Sequence, residues 1–354
     1  MNLTKDTLWE EIPSFDEIIH YLQKKNRPIS LLFGNGFSMA YDSKIFSYNA
    51  LYDFVIYQKD PELSKLFDAI NSKNFEEIMR QIDQYIDFSK KYGVPKEIIE
   101  MLEKSHLKLQ SSLIDAISEL HPDHVFEIED SRSKQCFSFL SIFLESGGKL
   151  FSTNYDLLSY WVLMRNNSKI SIDGFGKEVL NPEEIIKGDE PELSDLEWGI
   201  NKKFQNIFYL HGSLPIFDLG HTIIKEVYDT KAYLLQNIKN RMENGEYPIF
   251  VTSGDGLDKL NQIYHNKYLT YCYDQLCELT GSLITLGFNF GKYDYHIIDA
   301  INKAAKHGKK KVSDKLWSIY IGVYTEEDLE HIKSIMHLFQ VKVNIYKTND
   351  LQIW

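Results

Sequence analysis

The sequence predicts an α/β protein built on a Rossmann-like, doubly wound parallel sheet with a helical insertion. Short apolar runs rich in β-branched and aromatic residues alternate with stretches of helical periodicity. Gly, Asn or Ser often follows such a run, which is typical of strands that turn directly into helices. Uninterrupted apolar runs also suit strands that are covered on both faces of a sheet. Together these observations indicate the doubly wound class.

Seven runs are predicted strands, and they are spread along most of the chain. In order they are ISLLFG (29–34), GKLFSTN (148–154), NIFYLHG (206–212), YPIFVTS (247–253), SLITLGF (282–288), LWSIYIGV (316–323) and VKVNIYK (341–347). The stretch 293–307 carries apolar residues at helical spacing, which predicts a helix between the fifth and sixth runs. Parallel strands need such crossover connections.

One long segment interrupts this alternation. Residues 60–146 have the pattern of polar helices, so we predict a helical insertion there. The Rossmann-type domain then comprises residues 1–59 and 147–354. Within it, residues 168–180 predict a hairpin, and the acidic stretch 181–198 is a candidate mobile lid.

Composition narrows the classes of partner and compartment. The net charge of −12 disfavours direct binding to nucleic acid or anionic membranes, and the basic run KHGKKK (306–311) is expected to be a solvated helix end. Three cysteines without a CxxC pair disfavour a disulfide framework or a zinc ribbon, so no metal is expected. There is no signal-peptide pattern and no run of about 18 apolar residues. We therefore expect a cytoplasmic protein without a membrane span.

The first strand leads into the turn GNGFS (34–38). Glycines at such a turn let backbone amides approach a pyrophosphate at a helix N-terminus. The third glycine of a GxGxxG fingerprint is absent, because Met39 occupies its position. A tight strand–helix turn without a ligand explains this segment as well.

The second strand is followed by TNYD (153–156). The amide and carboxylate of this segment could hold a ribose or a water molecule. Asp156 could equally cap the following helix, LLSYWVLM.

Two further turns complete the set. The third strand ends in LHGS (210–213), which places His211 at the rim of the sheet, where it is a candidate general base. The fifth strand ends in GFNFG (287–291), and Asp294 follows at the mouth of the next helix, where it could simply be a cap.

These four segments, each at a strand end and in this order, resemble the sirtuin-like domain. That family shows GAGxS, a T-x-N-x-D or Q-N-I-D segment, a strand ending in His-Gly, and a Gly-Phe/Thr-Ser/Asn turn. The resemblance spans residues 29–300. It implies a site that holds NAD, with catalytic roles for Asn154, Asp156 and His211. The NAD contacts implied by the resemblance come from Gly34, Asn35, Gly36, Phe37, Ser38, Thr153, Gly212, Gly287, Phe288, Asn289 and Asp294.

The chain departs from protein deacylases of that family, because no zinc-binding cysteines follow the His-Gly. It is more similar to the zinc-less sirtuin-like domains of bacterial anti-phage defence systems, which hydrolyse NAD. The resemblance therefore implies an NAD⁺ glycohydrolase acting in abortive infection. It also implies a homo-oligomer, or a complex with a sensor subunit such as a nucleotide-binding protein or ATPase.

The residues are compatible with this chemistry and with alternatives to it. A histidine base contributes about 10²–10⁴-fold, and a fixed amide such as that of Asn154 would orient the reacting groups. An NAD or ADP-ribose sensor without turnover, an NAD-dependent deacylase and an unrelated α/β activity all remain open. Phe46 and Tyr48 lie where an aromatic ring could stack on nicotinamide.

Overall fold

Eleven strands form two sheets in the computed structural model, which describes residues 4–57, 60–73, 75–166, 169–181, 192–228, 232–251, 255–306 and 315–354. In chain order the strands are β1 (Ile29–Phe33), β2 (Leu150–Ser152), β3 (Phe175–Gly176), β4 (Glu197–Trp198), β5 (Ile207–Tyr209), β6 (Gly212–Asp218), β7 (Ile223–Lys225), β8 (Pro248–Phe250), β9 (Gly281–Leu286), β10 (Leu316–Val323) and β11 (Lys342–Lys347).

The main sheet has six parallel strands in the order β5-β2-β1-β9-β10-β11. Leu31 in β1 pairs with Leu150 on one side and Ile284 on the other. After β1, the chain adds β2 and then β5 on one side of β1. It then returns to the other side of β1 and adds β9, β10 and β11 in that order. This is the Rossmann strand order, and its topological switch point lies between β1 and β9. The predicted fold class is confirmed.

Thirteen α-helices lie within the described residues. They are α1 (Phe15–Gln23), α2 (Asn35–Phe46), α3 (Tyr48–Tyr57), α4 (Pro61–Ile70), α5 (Phe75–Lys91), α6 (Lys96–Leu120), α7 (Asp130–Glu145), α8 (Leu158–Arg165), α9 (Leu234–Glu243), α10 (Gly256–His265), α11 (Lys267–Cys277), α12 (Tyr295–Lys306) and α13 (Glu326–Ile335). Helix α12 confirms the helix predicted at 293–307.

Helices cover the sheet and bury its aromatic side chains. Helix α7 packs on β1 and β2, and α1 packs on β11. Phe15 of α1 contacts Phe139 of α7 at 5.4 Å and Tyr346 of β11 at 5.7 Å between ring centroids. Each of these large rings contributes a large apolar area to the core.

The segment predicted as a helical insertion contains α4 to α7. The long helix α6 is its centre, because α2, α3, α4 and α5 all pack against it. Leu109 and Leu113 of α6 are buried in this packing. Helix α7 packs directly on the main sheet, whereas α4, α5 and α6 form a helical layer beside it. The boundaries of the insertion stay a prediction.

The second sheet is antiparallel, in the order β3-β4-β7-β6-β8, and it corrects two predictions. The run 247–253 does not join the parallel sheet, because β8 pairs with β6 instead, with Gly212 opposite Phe250. The predicted hairpin at 168–180 is also wrong. Its strand β3 pairs with β4, and Val179 pairs with Leu193, so the second arm lies within the acidic stretch 181–198. Three-residue strands carry too little periodicity to reveal their partner.

Several predictions concern parts of the chain that the structure does not describe. Residues 182–191 of the candidate lid and residues 307–314, which contain most of the basic run, lie outside the described residues. Within the described part, no helix is long and apolar enough to span a bilayer. Cys136 and Cys272 are buried free thiols, and Cys277 is a partly buried one.

Candidate functional site

A cleft of about 980 Å³ opens at the carboxyl ends of the parallel strands. It lies over the β1/β9 switch point, the place where doubly wound sheets bind their ligands. One wall consists of the turns that follow β1, β2, β5 and β9, and we call it the strand-end wall. Opposite it, the helical wall consists of apolar side chains of α2 and α6, namely Ile45, Phe46, Leu113, Ile117 and Leu120.

Two glycine turns touch at the switch point. Gly34 N donates to Leu286 O and Gly36 N donates to Gly287 O, both at 3.0 Å. A Cβ built on Gly36 would lie 2.5 Å from Gly287 Cα, and Gly287 itself has a φ of +59°. Glycine is therefore required here because two backbones meet. Asn35, Gly36 and Gly287 line the cleft beside this contact.

The missing third glycine also has a structural reason. In the dinucleotide fingerprint that glycine allows close packing of helix on strand. Met39 instead points into the cleft and is 40% exposed. A side chain is therefore accommodated at this position of α2.

Phe37 lies in the core instead of the cleft lining. Its ring is fully buried, 4.7 Å from the Phe33 ring and 5.1 Å from the Trp354 ring between centroids. Trp354 Nε1 also donates to Phe37 O at 3.0 Å. The chain segment after β11 thus packs against the first turn of α2. Because the Phe37 ring lies in the core, its position does not support the predicted contact with a ligand.

Ser38, Asn154 and Asp156 form a buried polar network across the first two strand ends. Ser38 Oγ donates to Asp156 Oδ2 at 2.5 Å and accepts from Asn154 Nδ2 at 2.8 Å. Asp156 Oδ1 accepts from Leu158 N at 2.9 Å, so this carboxylate also serves the start of α8. Both predicted roles of Asp156 are thus structurally available. Burial raises the pKa of Asp156, while the hydrogen bonds from Ser38 and Leu158 oppose that rise.

Neighbouring groups hold this loop in place. Tyr155 OH donates to Val251 O at 2.7 Å, and Ser213 Oγ donates to Tyr155 O at 3.0 Å. Thr153 lines the cleft. Gly212 has a φ of +83°, and a Cβ there would lie 1.7 Å from Ile249 O. Gly212 is thus needed for the turn into β6 and for its contact with the strand beside it.

His211 lines the cleft at the end of β5 and contacts a second histidine. Its Nε2 lies 2.9 Å from Nε2 of His296, which projects from the first turn of α12. The exposed fractions are only 3% for His211 and 2% for His296. The two rings are nearly parallel, with centroids 5.1 Å apart. The Nδ1 of His296 is buried and has no hydrogen-bond partner among the residues that the structure describes.

A buried ion pair lies beside the two imidazoles. Lys259 is fully buried on α10, and its Nζ lies 3.0 Å from Asp294 Oδ1. One atom each of His211, Asp294 and His296 lies within 4.8 Å of the others. Burial, and secondarily the Lys259 charge, lowers the pKa of His296 to about 3 and that of His211 well below its usual range. Both imidazoles are therefore neutral near pH 7.

The far end of the cleft is formed by the turns after β9, β10 and β11. Asn289 lines the cleft with an exposed side chain, while its backbone oxygen lies 2.8 Å from His331 Nε2. Phe288 lines it too and packs edge-on against Phe290 at 4.8 Å. Asp328 faces the same end. Phe46 lies in the helical wall, and the side chain of Tyr48 is outside the described residues.

The structure thus brings most of the predicted residues to one cleft and places two buried residues beside it that the sequence did not reveal. The predicted residues that line it are Asn35, Gly36, Thr153, Asn154, Asp156, His211, Gly287, Phe288, Asn289 and Asp294. Gly34, Ser38 and Gly212 support this lining from behind. The missed residues are His296 and Lys259. The sequence DYH (294–296) at a strand end could have suggested His296, but Lys259 sits in an ordinary polar helix pattern.

The fold and the cleft together define a Rossmann-like α/β protein with a cleft at the topological switch point. The chain belongs to a family described as a domain of unknown function (DUF4917), whose pattern matches residues 31–354. A comparison with curated proteins finds no significant match. The family match covers nearly the whole chain, including both sheets and both walls of the cleft.

Proposed function

We propose that the protein is an NAD⁺ glycohydrolase that cleaves NAD⁺ to nicotinamide and ADP-ribose. The Rossmann strand order and the position of the cleft support binding of a dinucleotide, because such ligands bind across this switch point. The cleft volume of about 980 Å³ lies in the range of cofactor sites. These features support binding alone, and the case for cleavage depends on the side chains.

The observation that carries the proposal is the joint presentation of Asn154 and His211 on the strand-end wall. They follow β2 and β5, which are neighbours in the sheet. The Asn154 amide is oriented by Ser38, which is in turn held by Asp156. With its Nδ2 engaged by Ser38, Asn154 offers Oδ1 to a ribose hydroxyl or to the attacking water. His211 is neutral and can therefore accept a proton.

The chemistry requires little more from the protein. Nicotinamide leaves NAD⁺ as a neutral molecule, so the departing group needs no acid. The ribose acquires positive charge as the bond breaks, and the Asp156 carboxylate, which is linked to Asn154 through Ser38 by two hydrogen bonds, favours that charge. His211 would take the proton of the attacking water or of a ribose hydroxyl. In this scheme Asn154 is an orienting group and Asp156 a positioning residue.

The biological setting is part of the same proposal. An unregulated NAD⁺ glycohydrolase would exhaust its own cell, so the activity needs a silent state. We propose that the protein is the effector of a bacterial anti-phage abortive-infection system, switched on by a homo-oligomeric assembly or by a sensor partner such as a nucleotide-binding protein or ATPase. The resemblance to sirtuin-like defence domains supports this setting.

The test measures NAD⁺ and nicotinamide in cells and with purified protein, with and without proteins encoded by neighbouring genes. Wild type should consume NAD⁺ and release nicotinamide in equal amounts. Asn154→Ala and His211→Ala should each reduce the rate by at least about 100-fold. His20→Ala, at an exposed position on α1, is the matched control and should keep wild-type activity.

Circular dichroism and thermal melting must show that the inactive variants are folded. Tight NAD⁺ or ADP-ribose binding without turnover under every condition would contradict the proposal and identify a sensor. Nicotinamide release that requires an acetylated peptide would instead identify a deacylase.

A further inference from the structure

We propose that His296 is a positioning residue for His211, and that the two histidines form one hydrogen-bonded unit. In this unit, the nitrogen that carries the proton on one ring depends on which nitrogen carries it on the other. In this unit His296 Nε2 accepts the Nε2–H of His211, which leaves the Nδ1 lone pair of His211 facing the cleft. The catalytic part of this inference rests on the proposed glycohydrolase activity. The choice of His211 as the donor rests on it too, because that arrangement supplies a base, whereas the contact between the two imidazoles is independent of it.

The contact geometry requires a shared proton. Two imidazole nitrogens at 2.9 Å form a hydrogen bond only if one carries a proton and the other offers a lone pair. Because Nε2 of His211 points inward to His296, Nδ1 is the ring nitrogen left for the cleft that His211 lines. The partner on α12 therefore decides which nitrogen of His211 has the proton.

Two neutral arrangements satisfy this contact, and only one supplies a base. If His296 donated, His211 would present Nδ1–H to the cleft and could not accept a proton there. If His211 donates, its Nδ1 is a lone pair, and a substrate hydroxyl can transfer its proton to that nitrogen while the oxygen keeps the electron pair. The resulting imidazolium keeps its Nε2–H bonded to His296, now as a stronger, charge-assisted hydrogen bond.

Burial is the main reason that the two imidazoles are neutral at rest, and the Lys259 charge adds to it. The charged groups beside the two rings are Lys259 from α10 and Asp294 from the turn before α12. The Lys259 ammonium disfavours a second positive charge on either imidazole. A neutral imidazole is the form that accepts a proton, and both rings are in this form near pH 7.

The side chains of His211, His296 and Asp294 could in principle bind a divalent cation, since two imidazoles and a carboxylate form a common ligand set. The buried Lys259 ammonium argues against that use. It already neutralises Asp294 at 3.0 Å, and a metal ion would have to sit beside this charge. We therefore assign His211, His296 and Asp294 to a hydrogen-bonded proton site and not to a metal site.

The first experiment records ¹H–¹⁵N spectra of the whole protein labelled with ¹⁵N-histidine, and His211→Gln assigns the His211 signals. Wild type should show His211 as the Nε2–H tautomer. His296→Leu, which removes the acceptor, should abolish this preference, and His20→Leu should leave it unchanged. An Nδ1–H tautomer of His211 in wild type would overturn the inference. So would stoichiometric zinc, nickel or iron in purified wild type that is absent from His296→Leu.

The second experiment measures NAD⁺ cleavage by the same variants. His296→Leu should lower kcat about 10- to 100-fold with little change in KM, because His211 remains but is misoriented. His296→Gln, whose amide oxygen can replace the acceptor, should recover most of that loss. If wild type is active and His296→Leu has the same kcat, this inference is overturned while the glycohydrolase proposal stands. The expected tautomer without any NAD⁺ cleavage would support the pairing and overturn the glycohydrolase proposal.

Discussion

The two walls of the cleft are built in different ways. The strand-end wall consists of backbone turns and short polar side chains whose positions follow directly from the strands that precede them. The helical wall consists of large apolar side chains on α2 and α6, and its position depends on how a helical layer packs beside the sheet. The first wall carries the chemistry, because polar groups need fixed geometry. The second supplies apolar surface and shape.

This difference has an energetic counterpart. A change in the strand-end wall forces two backbones apart or leaves a buried polar group without its partner. A change in the helical wall removes apolar contacts and leaves a space that part of the layer can relax into. The first kind of change should therefore affect both stability and activity, whereas the second should affect mainly stability. The three predictions below test this contrast.

The largest effect is expected for Gly36→Ala in the strand-end wall. The added Cβ would lie 2.5 Å from Gly287 Cα, so the β1–α2 and β9–α12 turns would have to separate. We expect a loss of about 3 kcal/mol in unfolding free energy, together with loss of ligand binding. Urea unfolding and calorimetry measure the two effects. Gly291→Ala, in the same region but with no atom nearer than 3.6 Å to the new Cβ, is the control and should change the unfolding free energy little.

An intermediate effect is expected for Leu113→Ala in the helical wall. Leu113 is buried on α6 and also lines the cleft, so the cavity left behind opens partly to solvent. We expect a loss of about 2–3 kcal/mol in unfolding free energy, and a change in NAD⁺ turnover of less than about 10-fold in the folded variant. Leu113→Met, which keeps the volume, should lose less than about 1.5 kcal/mol. A larger activity loss than in Asn154→Ala would contradict the division between the walls.

The smallest effect is expected from the pH dependence of the histidine pair. The pKa of His296 is lowered in the folded state to about 3 from 6.5, so the unfolded chain binds more protons between these values. Stability should therefore fall as the pH drops below 6.5, by about 1 kcal/mol from this residue at about pH 5.5. His296→Gln should remove that part of the slope, measured by urea unfolding at about pH 5.5 and 7.5. An identical slope in wild type and variant would contradict the burial of a neutral His296.

The sequence predicted the strand-end wall well because its signals are local. An apolar run followed directly by Gly-Asn-Gly, Thr-Asn-Tyr-Asp or His-Gly predicts a strand and the groups presented at its end. Six of the seven predicted strands lie in the parallel sheet. The remaining run, 247–253, contains β8 and was assigned to the wrong sheet. Three residues with mixed burial do not distinguish parallel from antiparallel partners.

The roles of single residues were less predictable than their positions. Phe37 follows the glycine turn as a ligand residue would, yet Trp354 buries it in the core. Lys259 carries no local signal and His296 only the sequence DYH (294–296), because a histidine or a lysine in a helix is normally a surface residue. They acquire their roles only through burial against side chains of other elements.

The sequence by itself therefore determined the α/β class, the parallel strands and the polar turns at their ends, since strand periodicity and turn chemistry act between neighbouring residues. Only the tertiary structure decided which of these turns meet. Ser38 contacts Asp156 across 118 positions, and His211 contacts His296 across 85. Pairings of this kind arise from strand order and helix packing. They then set which charges are buried together, and hence which groups of the cleft can hold a proton.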